Sequence, residues 1–305
     1  MFSRVAAVAA VLVVAAVVIP SAAARYDRSK PIYFIHGYED DSAADCNQWN
    51  DMKQKFRDWG DTGTFVDVGY YKGDVNCGWD IDHHGSHSVH FASGHSNGSH
   101  TVDTNIRHLG YHLAWHIWDH FSSSGQSVDV VGHSMGGLII RYALAQTERG
   151  NADFPPYLLV EDVVTMGTPH GGGRWNSFCF WCPLQVDQMA MGSDFLNWLQ
   201  DYAWEPDGAG GTQWSTFGSD DDNWVAADRA AGTAHDRDPI NVYIGSCHKT
   251  WYTTEDNIEH TDFLHDTSAA FTALAWAHHC PGGWNLWYLP WPVKRADLAL
   301  ANGDQ

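Results

Sequence analysis

Hydrophobic and polar positions along this chain follow two periods in turn. A continuous apolar run, Pro31-Ile32-Tyr33-Phe34-Ile35, stops at His36-Gly37 and predicts a strand. Residues 47–59 have helix-like content, and residues 64–71 return to a strand pattern. Across 101–121, Val102, Ile106, Leu109, Leu113 and Ile117 recur at helical spacing. They lead into Val128, Val130 and Val131, a β-branched run that predicts another strand. Leu138, Ile139, Ile140, Tyr142, Ala143 and Leu144 then predict a helix, and 158–166 a strand that Gly167-Thr168-Pro169-His170-Gly171-Gly172-Gly173 breaks. Further strands are predicted over 213–218 and 240–245, with a final helix near 262–278. The Pro- and Trp-rich residues 281–305 read as an irregular tail. About six strands in β–α alternation imply an α/β fold with a mostly parallel sheet and helices on both faces. No repeat or linker divides residues 25–305, which read as one domain.

The corner between the third strand and its helix carries the first chemistry. There Ser134 stands between Gly132 and Gly136, a G-x-S-x-G arrangement after a strand and before a helix. A glycine-rich β–α turn can hold a serine with no function. The same context is also that of a nucleophile elbow, in which small neighbours let a strained turn lift the serine oxygen clear of the backbone.

Three motifs taken together resemble the small secreted bacterial triacylglycerol lipases of the α/β-hydrolase superfamily. They are Ile35-His36-Gly37, Gly132-His133-Ser134-Met135-Gly136-Gly137 and Thr165-Met166-Gly167-Thr168-Pro169-His170-Gly171-Gly172. The resemblance spans about residues 31–274 and is strongest over 127–173. It implies ester hydrolysis through an acyl-enzyme, with Ser134 as nucleophile and a triad in the order Ser, acid, His. Oxyanion donors would be the backbone N–H groups of Met135 and Tyr38, with His36 and His133 as supports. In that family the acid lies three residues after a serine and is followed by two residues and a valine. Ser219, Asp222 and Val225 reproduce this spacing, so the resemblance implies Asp222, with Asp221 and then Asp256 behind it. The histidine should follow the last strand, which leaves His248, His260 and His265; the residues after His260 resemble the family pattern best.

Composition narrows the partners. The chain of 305 residues has a formal net charge of −20. Residues 1–24 have the form of a secretory signal: Arg4, an apolar run from Val5 to Ile19, and Ala22-Ala23-Ala24 as a cleavage site. That run is short for a membrane anchor. Loss of Arg4 leaves 16 basic against 37 acidic residues, a net −21. Such a surface repels nucleic acid and anionic membranes and favours neutral substrates. A secreted, extracellular monomer with no integral membrane segment is expected. Its six cysteines are expected to pair as Cys46–Cys77, Cys247–Cys280 and Cys179–Cys182; a zinc reading of Cys179 and Cys182 lacks a second C-x-x-C.

Two segments stay open. Residues 83–100 hold His83, His84, His87, His90, His95 and His100 among Ser and Gly, a composition that can bind metal. No carboxylate or cysteine spacing there matches a defined site, so a solvated loop at the mouth of the active site is preferred and no cofactor or metal is assigned. Residues 174–212 are rich in aromatics. Met189, Phe195, Leu196 and Leu199 read as one covering helix face, and Trp175 as the candidate for substrate contact. The function expected is a lipase or esterase acting on a lipid or small neutral ester. A polyester depolymerase, phospholipase or acyltransferase with the same triad is the first alternative, and a catalytically silent binding module the second.

Overall fold

The computed structural model describes residues 27–81, 100–175, 181–232, 244–246, 248–279 and 282–302. The expected signal over 1–24 and the His-rich stretch as far as residue 99 lie outside them. In chain order the elements are β1 (Ile32–Ile35), α1 (Asn50–Asp58), β2 (Phe65–Gly69), β3 (Trp79–Asp80), α2 (Ile106–His120), β4 (Val128–His133), α3 (Met135–Glu148) and β5 (Val160–Met166). After them come α4 (Leu184–Gln188), α5 (Asp194–Tyr202), β6 (Gln213–Ser219), α6 (Ala227–Ala231), β7 (His248–Tyr252), β8 (Phe271–His278), β9 (Trp284–Pro290) and α7 (Pro292–Asn302).

The strands form one sheet in the order β3-β2-β1-β4-β5-β6-β7-β8-β9. It is parallel from β3 to β7, and β8 and β9 add to its edge in antiparallel fashion. Because β1 is flanked by β2 on one side and β4 on the other, the winding reverses there. Crevices outside the carboxyl ends of strands at such a switch point are where open α/β sheets bind ligands.

Side-chain alternation along the central strands divides the interior into two layers. Tyr33, Ile35, Val130 and Val163 join Leu109, Leu113 and Ile117 of α2 and Leu138 and Tyr142 of α3 in one core. Ile32, Phe34, Val131 and Val164 enter the other, with Met52 and Phe56 of α1 and Val293 and Ala296 of α7. Helices therefore cover both faces, as the β–α alternation predicts. A β-carbon at Gly136 would fall 2.1 Å from the Ile35 carbonyl oxygen, so the elbow's second glycine lets α3 lie directly against the end of β1.

Three expectations are corrected. Where a final helix was expected over 262–278, a 3₁₀ turn at Asp262–Leu264 is followed by strand β8. Its Ala273, Ala275 and Ala277 point inward while Leu274, Trp276 and His278 are half-buried, a period of two rather than 3.6. The expected irregular tail contains β9 and α7 instead. Pro292 occupies the first helical position of α7, where its missing N–H costs nothing, and the guanidinium of Arg28 ties the helix down through Asp297 at 2.6 Å. The strand expected over 240–245 falls partly outside the described residues; Ile244–Ser246 is not strand, and the next strand is β7.

Cys46 and Cys77 are disulfide-bonded, as expected, joining the chain before α1 to the segment before β3. Cys182 is also disulfide-bonded. Cys179, Cys247 and Cys280 lie outside the described residues.

Candidate active site

All five segments that build the site leave the carboxyl ends of parallel strands: His36 to Tyr38 after β1, Ser134 after β4, Gly167 after β5, Asp222 after β6 and His260 after β7. β4 passes into α3 through Ser134 at φ 50° and ψ −125°, a conformation that non-glycine residues avoid. The Ser134 N–H donates to the Met166 carbonyl at 2.9 Å, which pins the corner to β5. Such strain persists only where the surroundings enforce it, and it gathers at functional sites. Met135, next in the chain, is the first residue of α3, where a backbone N–H has no intrahelical acceptor and the helix end is positive.

The segment after β1 lies against this serine. A β-carbon at Gly37 would fall 2.7 Å from Ser134 Cβ and 3.2 Å from its Oγ, so any side chain there would crowd the hydroxyl. Tyr70, fully buried, donates its hydroxyl to the carbonyls of His36 and Gly37 at 2.8 and 2.6 Å. In a trans peptide the N–H points opposite the C=O, so gripping the Gly37 carbonyl turns the Tyr38 N–H away from Tyr70. The His36 ring stacks on Tyr70 with centroids 4.0 Å apart and lies 3.0 Å from the Asp74 carboxylate. Asp74 also accepts the backbone N–H groups of Ala44, Tyr70 and Tyr71 at 2.7, 2.7 and 2.8 Å. Burial pushes its carboxyl up, but these bonds outweigh it and hold it below the usual carboxylate range.

Asp222 and His260 are brought together. Asp222 Oδ2 lies 2.7 Å from His260 Nδ1. The other oxygen accepts the N–H groups of Trp224 and Val225 at 2.8 and 2.9 Å, which orients the carboxylate. Asp222 is 1% exposed, whereas Asp220 is exposed and Asp221 half-buried. A proton on His260 Nδ1, held by the carboxylate, leaves Nε2 as the basic nitrogen. A β-carbon at Gly167 would lie 3.0 Å from His260 Nδ1 and 3.1 Å from Asp222 Oδ2, so the pair sits directly over the exit of β5, whose Met166 carbonyl holds Ser134. His133 fastens the histidine's backbone: its Nε2 lies 2.8 Å from the His260 carbonyl. Burial, reinforced by the neighbouring His260, pushes the His133 imidazole down to about 3, so it is neutral and donates to that carbonyl.

The other two histidine candidates lie elsewhere. His265 pairs with Asp51 on the surface, Nδ1 to Oδ2 at 3.0 Å. His248 is part of β7 and faces His279 with 3.1 Å between Nδ1 atoms. Trp175 is half-buried and donates Nε1–H to the Val186 carbonyl at 3.1 Å. Its ring centroid is 6.5 Å from that of Trp224, which in turn is 6.5 Å from His260 and is 59% exposed. The four residues expected on one helix face are divided: Phe195, Leu196 and Leu199 lie on α5, Met189 caps the end of α4, and all four are buried as cover over the core.

Sequence reading misses Tyr70, Asp74 and Trp224. Only Trp224 leaves a local trace, as one of the two residues between Asp222 and Val225. Tyr70 acts through carbonyls more than 30 residues away, and Asp74 ties the Ala44 N–H, 30 residues away, to the nearby N–H groups of Tyr70 and Tyr71. The apolar spacing that predicts α2 also leaves aside the helix's second stripe, His108, His112, His116 and His120, at intervals of four.

The parallel sheet, the strained serine between β4 and α3, and the acid and histidine following it in that chain order make this an α/β-hydrolase fold. Residues 63–198, a little under half of the chain, match the family described as "Putative serine esterase (DUF676)", and Ser134 falls inside the match. A search of curated proteins gives no match. Among solved structures, lipase B of Aspergillus fumigatus is similar at 14% identity and a TM-score of 0.47, over 79% of this chain and 51% of that one. The chain thus spans about half the length of that lipase. Mature Bacillus licheniformis lipase BlEst2 is similar at 18% identity and a TM-score of 0.41, over 73% of this chain and 85% of that one. For phospholipase PlaB of Legionella pneumophila the figures are 16% and 0.41, over 62% of this chain and 39% of that one.

Proposed function

We propose that the protein is a secreted serine carboxylic-ester hydrolase acting on neutral acyl esters. The observation that carries the reading is the Asp222–His260 pair at 2.7 Å, set over the strand exit that pins the strained Ser134 corner. In this reading His260 Nε2 takes the proton as Ser134 Oγ attacks the ester carbonyl carbon. The imidazolium so formed is stabilised by Asp222. The carbonyl oxygen, now negative, is received by the N–H groups of Met135 and Tyr38, a helix N-terminus and a peptide turned by Tyr70. Collapse expels the alcohol, which takes its proton from His260, and water repeats the sequence on the acyl-enzyme.

The acidic surface favours uncharged substrates, and Trp175 with Trp224 supplies apolar surface beside His260 for an acyl chain. Export accords with the leader-like residues 1–24 and with the Cys46–Cys77 bridge, a bond that persists in oxidising compartments. Among the described residues no helix is long and apolar enough to cross a membrane.

The test is turnover of p-nitrophenyl esters of rising acyl length, with a long-chain triglyceride alongside, by the wild type and Ser134→Ala. Hydrolysis that vanishes in the folded variant supports the reading. A wild type inert towards every ester, or a variant that keeps its rate, refutes it.

A further inference from the structure

A second cluster of chemistry lies on α2, in residues the hydrolase reading does not use. His108 and His112, four apart, project from one face of the helix, the spacing by which helical histidines share a metal. His100, where the described chain resumes, packs against both, with ring centroids 4.9 and 5.3 Å away. All three are buried, at 0%, 2% and 0% exposure for His100, His108 and His112. His100 is therefore not part of a solvated loop, contrary to the sequence expectation for the end of the His-rich segment.

We propose that His100, His108 and His112 form a binding site for a divalent transition cation of the zinc class. One ring nitrogen from each residue lies within 4.8 Å of the other two. Nε2 of His108 and Nε2 of His112 are already 3.0 Å apart. Two nitrogens on a tetrahedral zinc at ordinary Zn–N distances are about 3.3–3.4 Å apart, so this pair needs to open by only a few tenths of an ångström, while the His100 nitrogen closes in from within 4.8 Å. His100 is preset for ligation. Its Nδ1 lies 3.2 Å from the Tyr70 carbonyl, which can only accept, so Nδ1 carries the proton and Nε2 presents its lone pair. Outer hydrogen bonds of this kind fix tautomer and ring orientation in histidine metal sites. An all-imidazole set suits zinc, copper or nickel, whereas calcium and magnesium take oxygen ligands.

The site would fasten residue 100 to α2, and it touches the hydrolase site through one residue. Tyr70 orients His100 with its backbone carbonyl and grips His36 and Gly37 with its hydroxyl. Cation binding at this place is independent of whether Ser134 is a nucleophile.

The experiment takes the full mature chain, freed of metal by chelation, and titrates it with Zn²⁺ and with Co²⁺. One tightly bound equivalent is expected, with the intense visible absorption of four-coordinate Co²⁺ and a melting temperature raised by several degrees on zinc addition. His100→Gln and His112→Gln should each weaken binding by about 100-fold or more and abolish the thermal shift. A wild type that takes up no cation, or variants that bind as tightly as wild type, overturn the proposal. Should a glutamine variant fail to fold, X-ray absorption of the zinc-loaded wild type decides: three imidazole nitrogens in the first shell support the site, and two or fewer overturn it.

Discussion

Nε2 of His133, the residue before Ser134, lies 2.8 Å from the carbonyl oxygen of His260. One hydrogen bond therefore couples the serine corner to the loop that carries the candidate base. Replacing His133 by Phe keeps an aromatic of similar size and removes the donor. Loss of one neutral hydrogen bond corresponds to about 1 kcal/mol, so kcat should fall roughly five- to tenfold, KM should hold, and His133→Gln should recover part of the rate. Steady-state kinetics of both variants check this. A KM effect with kcat unchanged would place His133 outside the positioning of His260.

The same residue predicts a pH dependence of stability. Its imidazole sits at about 3 in the folded chain against an ordinary 6.5, with burial the main cause. Between those values the unfolded chain binds more protons than the folded one, so the contribution is present above about 6.5 and is lost as pH falls towards 3. Denaturant unfolding across that window should show a shallower loss of stability in His133→Phe than in wild type. An identical slope would mean that His133 does not titrate with unfolding.

Asp222 and its two neighbours offer an internal control. Asn keeps the shape of Asp but cannot stabilise an imidazolium, so Asp222→Asn should lower kcat by about 10³–10⁴. Asp220→Asn and Asp221→Asn should each cost less than about tenfold, because the structure gives neither a bond to His260. Kinetics of the three variants decide the assignment. A crippled Asp221→Asn with an active Asp222→Asn would contradict it.

The Cys46–Cys77 bridge closes a loop with a sequence separation of 31, and Gly69 of β2 packs against the Cys77 side chain. Chain entropy for a loop of that size corresponds to about 3–4 kcal/mol. A Cys46→Ser/Cys77→Ser double variant should lose stability of that order in chemical denaturation. A loss below about 1 kcal/mol would show that the unfolded chain gains little freedom from opening it.

Where the candidate site rests on local pattern, the sequence is legible. The elbow needs small residues at fixed offsets between a strand and a helix, and 127–142 displays them; Ser219, Asp222 and Val225 likewise carry a turn whose N–H groups bind one carboxylate oxygen. The edge of the sheet is less legible. Phe271–His278 is rich in alanine, a helix former, and its inward small residues show their period of two only when β7 and β9 pair beside it. Gly282-Gly283 precedes β9, and Pro292 ahead of an alanine-rich run marks α7; both signals are present beneath a composition of Pro and Trp. Tyr70 and Asp74 are illegible for a different reason, since their tie to the segment after β1 runs through His36, Gly37 and Ala44, distant groups that the fold delivers.

The most direct measurement is covalent labelling with an activated phosphonate ester, which mimics the tetrahedral intermediate and is attacked only by an activated serine. The proposal predicts one adduct by intact mass, mapped to Ser134 in the digested protein, absent in Ser134→Ala and formed far more slowly in His260→Gln. No adduct on the wild type, or an adduct that survives Ser134→Ala, would contradict it.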